Sequence, residues 1–261
     1  MNNQRLIIRI SSGSLLLSTT NGGDVVFERC PVKSSMSMAA NLREAFRTIP
    51  LLQTSYGGVT VLSDSPVLMV PVDIFRDEEC DEQYRYVFGR QQSMAVVSHV
   101  LPELNAVALF ALSKDLLQVL RDRFSTIRLQ PVMAAVWSHF HLKSFTGMRQ
   151  KLYGYYHDQR MEVFAFHQHR FRFYNAYAVG QNPNDALYYL LSVWKQLGLD
   201  PREDELHLSG VMPGRDQLAD ESRRFVKRVF MGNPSGEFNR APVTQLEGMP
   251  YDMMLCYLKK G

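Results

Sequence analysis

Cysteine is scarce in this chain of 261 residues, which contains three, at positions 30, 80 and 256. They are far apart and odd in number, and the sequence has no CxxC pair that would hold zinc or carry out thiol exchange. Such cysteine usage is typical of a reducing compartment. We therefore expect a cytoplasmic location and no structural zinc site.

The net charge of the chain is low, and its apolar runs are short. The 29 basic and 26 acidic residues leave a charge of +3, which is too little to indicate a nucleic-acid or membrane partner. The longest uncharged apolar run, "AVALFAL" at 106–112, is too short to cross a bilayer. Arg9 interrupts the apolar start of the chain, so this start does not read as a secretory signal. The P-loop, GxSxG, HExxH and GxGxxG motifs are absent, so the common nucleotide, hydrolase and metalloprotease chemistries have no support.

The sequence does contain a clear succession of strands and helices, and its hydrophobic content of 46% can build buried cores. Three strand-like runs come first, "RLIIRIS", "SLLLST" and "DVVFERCPV". The turn signals "SG" and "TNGG" separate them, which favours an antiparallel meander. A helical pattern follows in "SMSMAANLREAFRTI", and strand-like sequence returns in "GGVTVLSDSPVLMVPVDIF".

The same succession begins again at "KLYGYYH". Two more strands, a helix and a further strand follow in "MEVFAFH", "FRFYNAYAV", "ALYYLLSVWKQLGL" and "ELHLSG". Corresponding positions differ by 146 residues: Leu6 and Leu152 open the first strands, and Val25 and Phe171 the third. This agreement indicates a structural duplication.

The duplication predicts two α/β halves, 1–145 and 146–261, with an insertion around 65–105 in the first. The charged segment "RDEECDEQYR" at 76–85 predicts a solvated loop or an exposed helix face, and "AVALFALS" predicts a buried strand. "KDLLQVLRDRF" predicts an amphipathic helix, and "TIRLQPVMAAVWSHFHLKSF" a strand and helix that join the halves. The tail from Met231 is rich in Gly, Pro and Asn and predicts a surface loop before a last short element.

A three-stranded meander, a helix and a strand, repeated once, resemble the ground plan of the actin-like ATPase superfamily. Within it the chain looks most like a bacterial family of uncharacterised proteins related in layout to the pilus-assembly and cell-division actin homologues. "RFSTIRLQPVMAAVWSHF" and "KQLGLDPREDELHLSG" are similar to their linker and to their segment before the adenosine strand. The resemblance implies an α/β actin-like ATPase fold. Each half would be ribonuclease H-like, with a mixed five-stranded sheet flanked by helices, and a cleft would lie between the halves.

The resemblance also implies where chemistry would lie. Active members hold Mg-ATP with an aspartate at the end of each first strand, followed by a glycine-containing hairpin whose amides bind phosphate. Here the first hairpin, "IIRISSGSLLLS", has no aspartate and carries Arg9 in the strand. In the second, tyrosines fill the strand end, and Asp158 is the one carboxylate of a turn without glycine. The Gly-Gly pair of the adenosine side is replaced by "LSGVMPG".

These departures leave residues that line the expected cleft without completing a catalytic site. The candidates are Ser11, Ser12, Gly13, Ser14, Asp158, Ser209 and Gly210. A hairpin of serine and glycine can offer amides and hydroxyls to phosphate, but the missing aspartates predict no efficient hydrolysis. We expect no catalytic residue, no metal ligand and no resident cofactor, with Mg-ATP binding as the alternative.

The stretch 155–179 concentrates histidines, arginines and aromatic residues. His157, His167 and His169 suggest metal ligation, but no cysteine or carboxylate array completes a ligand set at a recognised spacing, so we interpret them as turn edges. Bases interleave with aromatics in "HRFRFYNAY", as on single-strand-binding surfaces. Alternation instead places Arg170 and Arg172 on one strand face and Phe171 and Phe173 on the other, which favours an amphipathic strand.

The sequence therefore predicts an actin-like protein whose nucleotide chemistry has decayed. The leading hypothesis is a non-catalytic interaction or assembly scaffold that binds a protein partner or associates with itself, without membrane or nucleic-acid binding. A nucleotide-binding, ATPase-like protein is the alternative, and a nucleic-acid binder is the third hypothesis.

Overall fold

The computed structural model describes residues 4–21, 23–89, 92–168 and 170–258. The chain forms two compact units, the first ending at Ala135 and the second beginning at Val136. Gly22, in the predicted "TNGG" turn, and His169 lie outside the described residues. In the described part of the chain, none of the helices has the length and apolar character needed to span a membrane.

The first unit is built on a five-stranded mixed sheet. The strands of the unit are β1 Arg5–Ile10, β2 Leu15–Asn21, β3 Asp24–Cys30, β4 Gly58–Ser63, β5 Val67–Pro71, β6 Met94–Leu101, β7 Ala106–Ser113 and β8 Ile127–Pro131. The five-stranded sheet has the order β3-β2-β1-β4-β8, in which β2 is antiparallel to both β1 and β3, and β4 is parallel to both β1 and β8. The predicted meander is therefore confirmed.

The helices in and after the first unit include two that apolar spacing predicted. They are α1 Met38–Thr48, α2 Pro50–Gln53, α3 Cys80–Phe88, α4 Lys114–Arg123 and α5 Met133–Ser144. Helix α1 begins after Ser37, whose hydroxyl accepts a hydrogen bond from the Ala40 N–H. Helix α4 buries the predicted Leu116, Leu117 and Leu120. The unit boundary falls within α5.

A second, three-stranded sheet in the first unit has the order β5-β7-β6 and is antiparallel. Strand β7 is buried almost throughout, as predicted. The charged segment 76–85 forms the 3-10 turn Asp77–Glu79 and most of α3. This helix has an exposed face, but Cys80 and Tyr84 are buried in the core against the small sheet.

The second unit repeats the five-stranded plan. Its elements are β9 Lys151–His157, β10 Arg160–His167, β11 Arg170–Ala178, α6 Pro183–Gln196, β12 Glu205–Gly210, α7 Arg215–Arg223, β13 Arg228–Met231, α8 Pro234–Glu237 and α9 Tyr251–Met254. The sheet order β11-β10-β9-β12-β13 matches that of the first unit position for position. Arg5 pairs with Gly58, and Lys151 pairs with Glu205, so the repeat shifts by one residue at its fourth strand.

Different groups of side chains pack on the two faces of the five-stranded sheet of the second unit. Residues of α6 and α7, such as Leu190 and Leu218, share a core cluster with Leu152 and Leu206. On the opposite face the α5 residue Phe140 contacts the rings of the sheet. This aromatic layer includes Trp137, Phe140, Tyr153, Phe164, Phe166, Phe171 and Tyr174.

Strand β11 corrects one prediction. Phe171 and Phe173 were expected on the same face, but the register between β10 and β11 shifts between Ala165 and Phe166. This bulge adds a residue to β11, so side-chain alternation is interrupted there. Phe171 consequently packs against Trp137, whereas Phe173 joins the core on the α6 side. Arg170 and Arg172 are exposed, as predicted.

The tail after Met231 also differs from prediction. The stretch predicted as a surface loop contains α8 and a 3-10 helix at Pro242–Gln245, and α9 lies in the predicted last short element. All four residues of α9 are buried, and Asp252 is fully inaccessible to solvent. The Gly, Pro and Asn content of the tail reflects short helices with tight connections rather than a solvated loop.

Candidate functional site

A pocket of the second unit lies at the carboxyl end of β12. Its volume is about 430 Å³, and it gathers the predicted Ser209 and Gly210. The end of β13 contributes Gly232 and the following Asn233, and α9 contributes Tyr251. The remaining lining residues are Val211, Arg215, Pro234, Met249 and Met254. Ligands of open α/β sheets commonly bind outside the carboxyl ends of the strands, so this pocket is a candidate binding site.

Two glycines give the pocket its backbone shape. Gly210 has φ +95°, and a β-carbon placed on it would lie 2.0 Å from the carbonyl oxygen of Tyr156. A β-carbon on Gly232 would lie 2.4 Å from Oγ of Ser209. Only glycine allows the two loops to approach their neighbours this closely. The predicted Gly210 thus has a structural reason to be glycine, whether or not a ligand binds.

The Tyr251 ring is held in the pocket wall by a polar cluster on α5 and α8. The Tyr251 hydroxyl lies 3.1 Å from Oε1 of Glu237, which also lies 2.7 Å from His139 Nε2 and contacts the Lys143 ammonium. Burial, together with the positive charge of Lys143, lowers the pKa of His139 to about 4. His139 is therefore neutral near pH 7 and donates its Nε2 proton to the carboxylate. Sequence reasoning missed this cluster because Glu237 is 98 positions from His139.

The first predicted hairpin joins β1 and β2 and is bonded to itself. The Ser11 N–H donates to the Ser14 carbonyl at 3.0 Å, and the two hydroxyl oxygens are 2.7 Å apart. Gly13 and Ser14 also line a second pocket of about 340 Å³ with Arg29 and Cys30. Ser12 is exposed in the turn. Hydroxyls and amides are present here, but the hairpin supplies no carboxylate.

The second predicted hairpin joins β9 and β10 through Asp158 and Gln159, whose φ angles are +43° and +61°. Two left-handed central residues form a type I′ turn. His157 Nδ1 lies 3.1 Å from Asp158 Oδ2, and its Nε2 lies 3.2 Å from Oε1 of Glu162. The hydroxyl of Tyr174 donates to Oε2 of Glu162 at 2.9 Å. The carboxylate of this turn is therefore engaged by a histidine of its own hairpin.

His157 was predicted to be a turn-edge residue, and the structure corrects the environment implied by that prediction. It is at the end of β9 but only 6% exposed. Burial alone lowers its pKa, but the hydrogen bonds and negative charges of Asp158 and Glu162, with Asp252, outweigh it and raise the pKa to about 9. His157 is thus a buried cation inside a carboxylate cluster rather than a solvated turn residue.

A tyrosine occupies the strand end where the resemblance implied an aspartate. The Tyr155 hydroxyl donates to Oδ2 of Asp252 at 3.0 Å and accepts from the Asp252 N–H at 3.3 Å. Its ring stacks on His157 with centroids 5.1 Å apart. The carboxylate at this place comes from α9, at the far end of the chain, and no local sequence pattern connects it to β9.

The hydrogen bonds of Ser11, Ser14 and Asp158 bear on whether the two hairpins could hold Mg-ATP. Magnesium prefers carboxylate and water oxygens. Ser11 and Ser14 bond to each other, and Asp158 is bonded to a protonated histidine. The two turns therefore supply one carboxylate, which is engaged by a histidine, and do not present the set of carboxylates that fits magnesium. The pocket beside β12 is lined by the Tyr251 ring and two methionines together with Ser209 and Asn233.

Comparison with solved structures identifies the class of fold. The chain is similar to a protein of Bacteroides thetaiotaomicron VPI-5482 that is described as having an actin-like ATPase fold and unknown function. The two share 25% identity with a TM-score of 0.82, over 94% of this chain and 97% of that one. It is also similar to a structure described as the PilM-PilN type IV pilus biogenesis complex, with 13% identity, a TM-score of 0.53 and 89% of each chain covered.

The chain therefore has the actin-like ATPase fold that the resemblance implied. The model of the family described as "Protein of unknown function (DUF3822)" matches residues 1–229, and the chain belongs to that family. Among curated proteins, no match was found.

Proposed function

We propose that this protein is a cytoplasmic, non-catalytic scaffold that uses the actin-like fold for protein interaction or assembly. The observation that carries the proposal is the bonding at the two hairpins. Active members of the superfamily carry an aspartate at the end of each first strand, whereas in the hairpins that follow these strands here Ser11 bonds to Ser14 and Asp158 bonds to His157. These contacts engage the two serine hydroxyls and the Asp158 carboxylate within their own hairpins, which supports a structural role for both turns.

The charge of the second hairpin strengthens this argument. A catalytic carboxylate must be available to orient a metal ion or a water molecule. Asp158 instead faces His157, whose raised pKa of about 9 keeps it protonated near neutral pH. Releasing Asp158 would leave a buried cation with one fewer partner, which costs free energy. The resting arrangement therefore opposes a catalytic role.

Protein interaction is supported by fold analogy. The PilM-PilN structure is described as a type IV pilus biogenesis complex, and its likeness to this chain extends over 89% of both. An actin-like fold is therefore compatible with a role in protein assembly, although fold by itself does not determine function.

Light scattering of the purified chain with and without Mg-ATP tests the proposal. We expect the scattering and its concentration dependence to be unchanged by nucleotide, because the two turns do not present the set of carboxylates that fits magnesium. The same measurement with Asp158→Asn is the matched control, since a structural turn residue should not alter any nucleotide response. An ATP-dependent change in scattering that this substitution abolishes would overturn the proposal.

Nucleotide binding without hydrolysis is the second candidate function. The observation that favours it is the pocket of about 430 Å³ beside Ser209 and Gly210, with one aromatic wall formed by Tyr251. A planar base can stack on such a ring while backbone and amide groups fix its orientation. Crystals soaked with ATP test it: ordered density against Gly210, lost in Tyr251→Ala, supports binding, and an empty pocket at millimolar nucleotide contradicts it.

A further inference from the structure

Exposed apolar side chains are concentrated on one part of the first unit. Five of the fourteen large apolar residues exposed in the described part of the chain lie between positions 72 and 88, on the 3-10 turn Val72–Ile74 and on α3. Tyr86 is 91% exposed, and Ile74 and Val87 are more than half exposed. Single exposed apolar residues are ordinary, but several within one short segment make that segment a candidate interaction surface.

The same segment is strongly acidic, and we call residues 72–88 the acidic face. It contains six carboxylates and two arginines. Each arginine already pairs within the face: Arg76 with Glu79 at 3.3 Å and Arg85 with Asp81 at 2.5 Å. The remaining carboxylates give the face an excess of negative charge beside its exposed apolar groups. A partner that fits must therefore carry positive charge together with apolar side chains.

A segment of the second unit has this composition, and we call residues 222–230 the basic turn. It contains four cations and no carboxylate, in the sequence "SRRFVKRVF". Phe225 and Phe230 are 54% and 47% exposed within it. Arg223 and Arg224 pair with carboxylates of α7 just outside the turn, at 2.9 Å. These pairs are exposed and therefore weak, so both guanidinium groups can take part in other contacts.

We propose that the acidic face of one copy of this protein binds the basic turn of a second copy. The inference rests on the proposed assembly function and deepens it by naming its partner and surfaces. Opposite charges steer the two surfaces together, and the apolar residues on both sides add buried area once the surfaces meet. Because the two surfaces differ, the contact is heterologous, and repeated contacts generate a ring or a filament.

The test measures association after charge-changing substitutions on each surface separately. The first variant is Glu78→Lys with Glu82→Lys, and the second is Arg224→Glu with Lys227→Glu. In sedimentation velocity at low salt, the wild-type chain should associate as its concentration rises, and 0.5 M NaCl should weaken this association. Each variant should associate at least about tenfold more weakly, because its two substitutions cancel the net charge of that surface and remove the electrostatic attraction.

Mixing the two variants is the decisive step. In the mixture the unchanged basic turn of the first variant meets the unchanged acidic face of the second, and these two surfaces remain complementary. Association should therefore return in the mixture although neither variant associates by itself. Tyr86→Ser should weaken association without changing any charge, and the charge reversals Arg43→Glu and Glu247→Lys, on exposed sites outside both surfaces, should have no effect. Circular dichroism verifies that all variants are folded.

The outcomes separate this inference from the proposed function. A wild-type chain that stays monomeric at every concentration, or a mixture that fails to associate, overturns the inference. Association that persists in both single variants does so too, because it must use other surfaces. A basic peptide or another protein that binds the acidic face while the chain remains monomeric also overturns it and assigns the face to a different partner. None of these outcomes bears on the response to ATP, which is measured independently. An ATP-dependent change in scattering or ATP hydrolysis, lost in Asp158→Asn, is what would overturn the non-catalytic scaffold function.

Discussion

Substitution of Gly210 by alanine should strongly destabilise the second unit. The residue has φ +95°, and the new β-carbon would lie 2.0 Å from the Tyr156 carbonyl oxygen. Left-handed strain costs about 1–2 kcal/mol, and the overlap adds about 1–3 kcal/mol because backbone must move. We therefore expect a loss of about 2–5 kcal/mol in the free energy of unfolding.

Tryptophan fluorescence during urea denaturation isolates this effect. The chain has two tryptophans, Trp137 and Trp194, and both are buried in the second unit, so their emission reports the unfolding of that unit. Gly198→Ala is the matched control: its φ is +64°, but no atom lies within 4 Å of the added carbon. The control should lose only about 1–2 kcal/mol. Equal losses in Gly210→Ala and Gly198→Ala would refute the argument from close approach.

Two further stability predictions concern the buried polar groups of the second unit. Tyr155→Phe should lower the free energy of unfolding by about 1–3 kcal/mol, because the inaccessible Asp252 carboxylate loses a donor; Tyr188→Phe, at an exposed site, should have almost no effect in the same urea experiment. The raised pKa of His157, about 9 against an ordinary 6.5, means that the folded protein retains a proton that the unfolded chain releases. Its stabilisation should be complete below pH 6.5 and lost as the pH rises through 9, a change of about 3 kcal/mol. Urea midpoints between about pH 6 and about pH 9.5 bracket the two pKa values and measure this change, and His157→Gln should flatten the profile. An equally steep profile in that variant would show that another group is responsible.

The repeated plan of strands and helices was predictable because it rests on local patterns. Strand β7 and helix α4 have the bounds that apolar runs and helical spacing indicate. The pairing of Leu6 with Val59 and of Leu152 with Leu206 reflects the same succession of elements in both halves. A duplicated fold reinforces such patterns, because each half provides an independent reading of the same architecture.

The polar interior of the second unit was not predictable, because it is assembled from distant segments. Asp252 meets Tyr155 across 97 positions, and Glu237 meets His139 across 98. The burial of His157 depends on these surroundings and not on its place at a turn. The bulge in β11 likewise has no glycine to signal it, so alternation misassigned Phe173. Of the candidate site, sequence reasoning supplied Ser209 and Gly210 but not Tyr251.

Phosphate release in the presence of ATP and Mg²⁺ is the most direct test of the claim that this actin-like protein does not catalyse hydrolysis. The bonds of Ser11 to Ser14 and of Asp158 to His157 predict release no faster than in buffer alone, for the wild-type chain and for Asp158→Asn. Release by the wild-type chain that rises with protein concentration and disappears in Asp158→Asn would contradict the account.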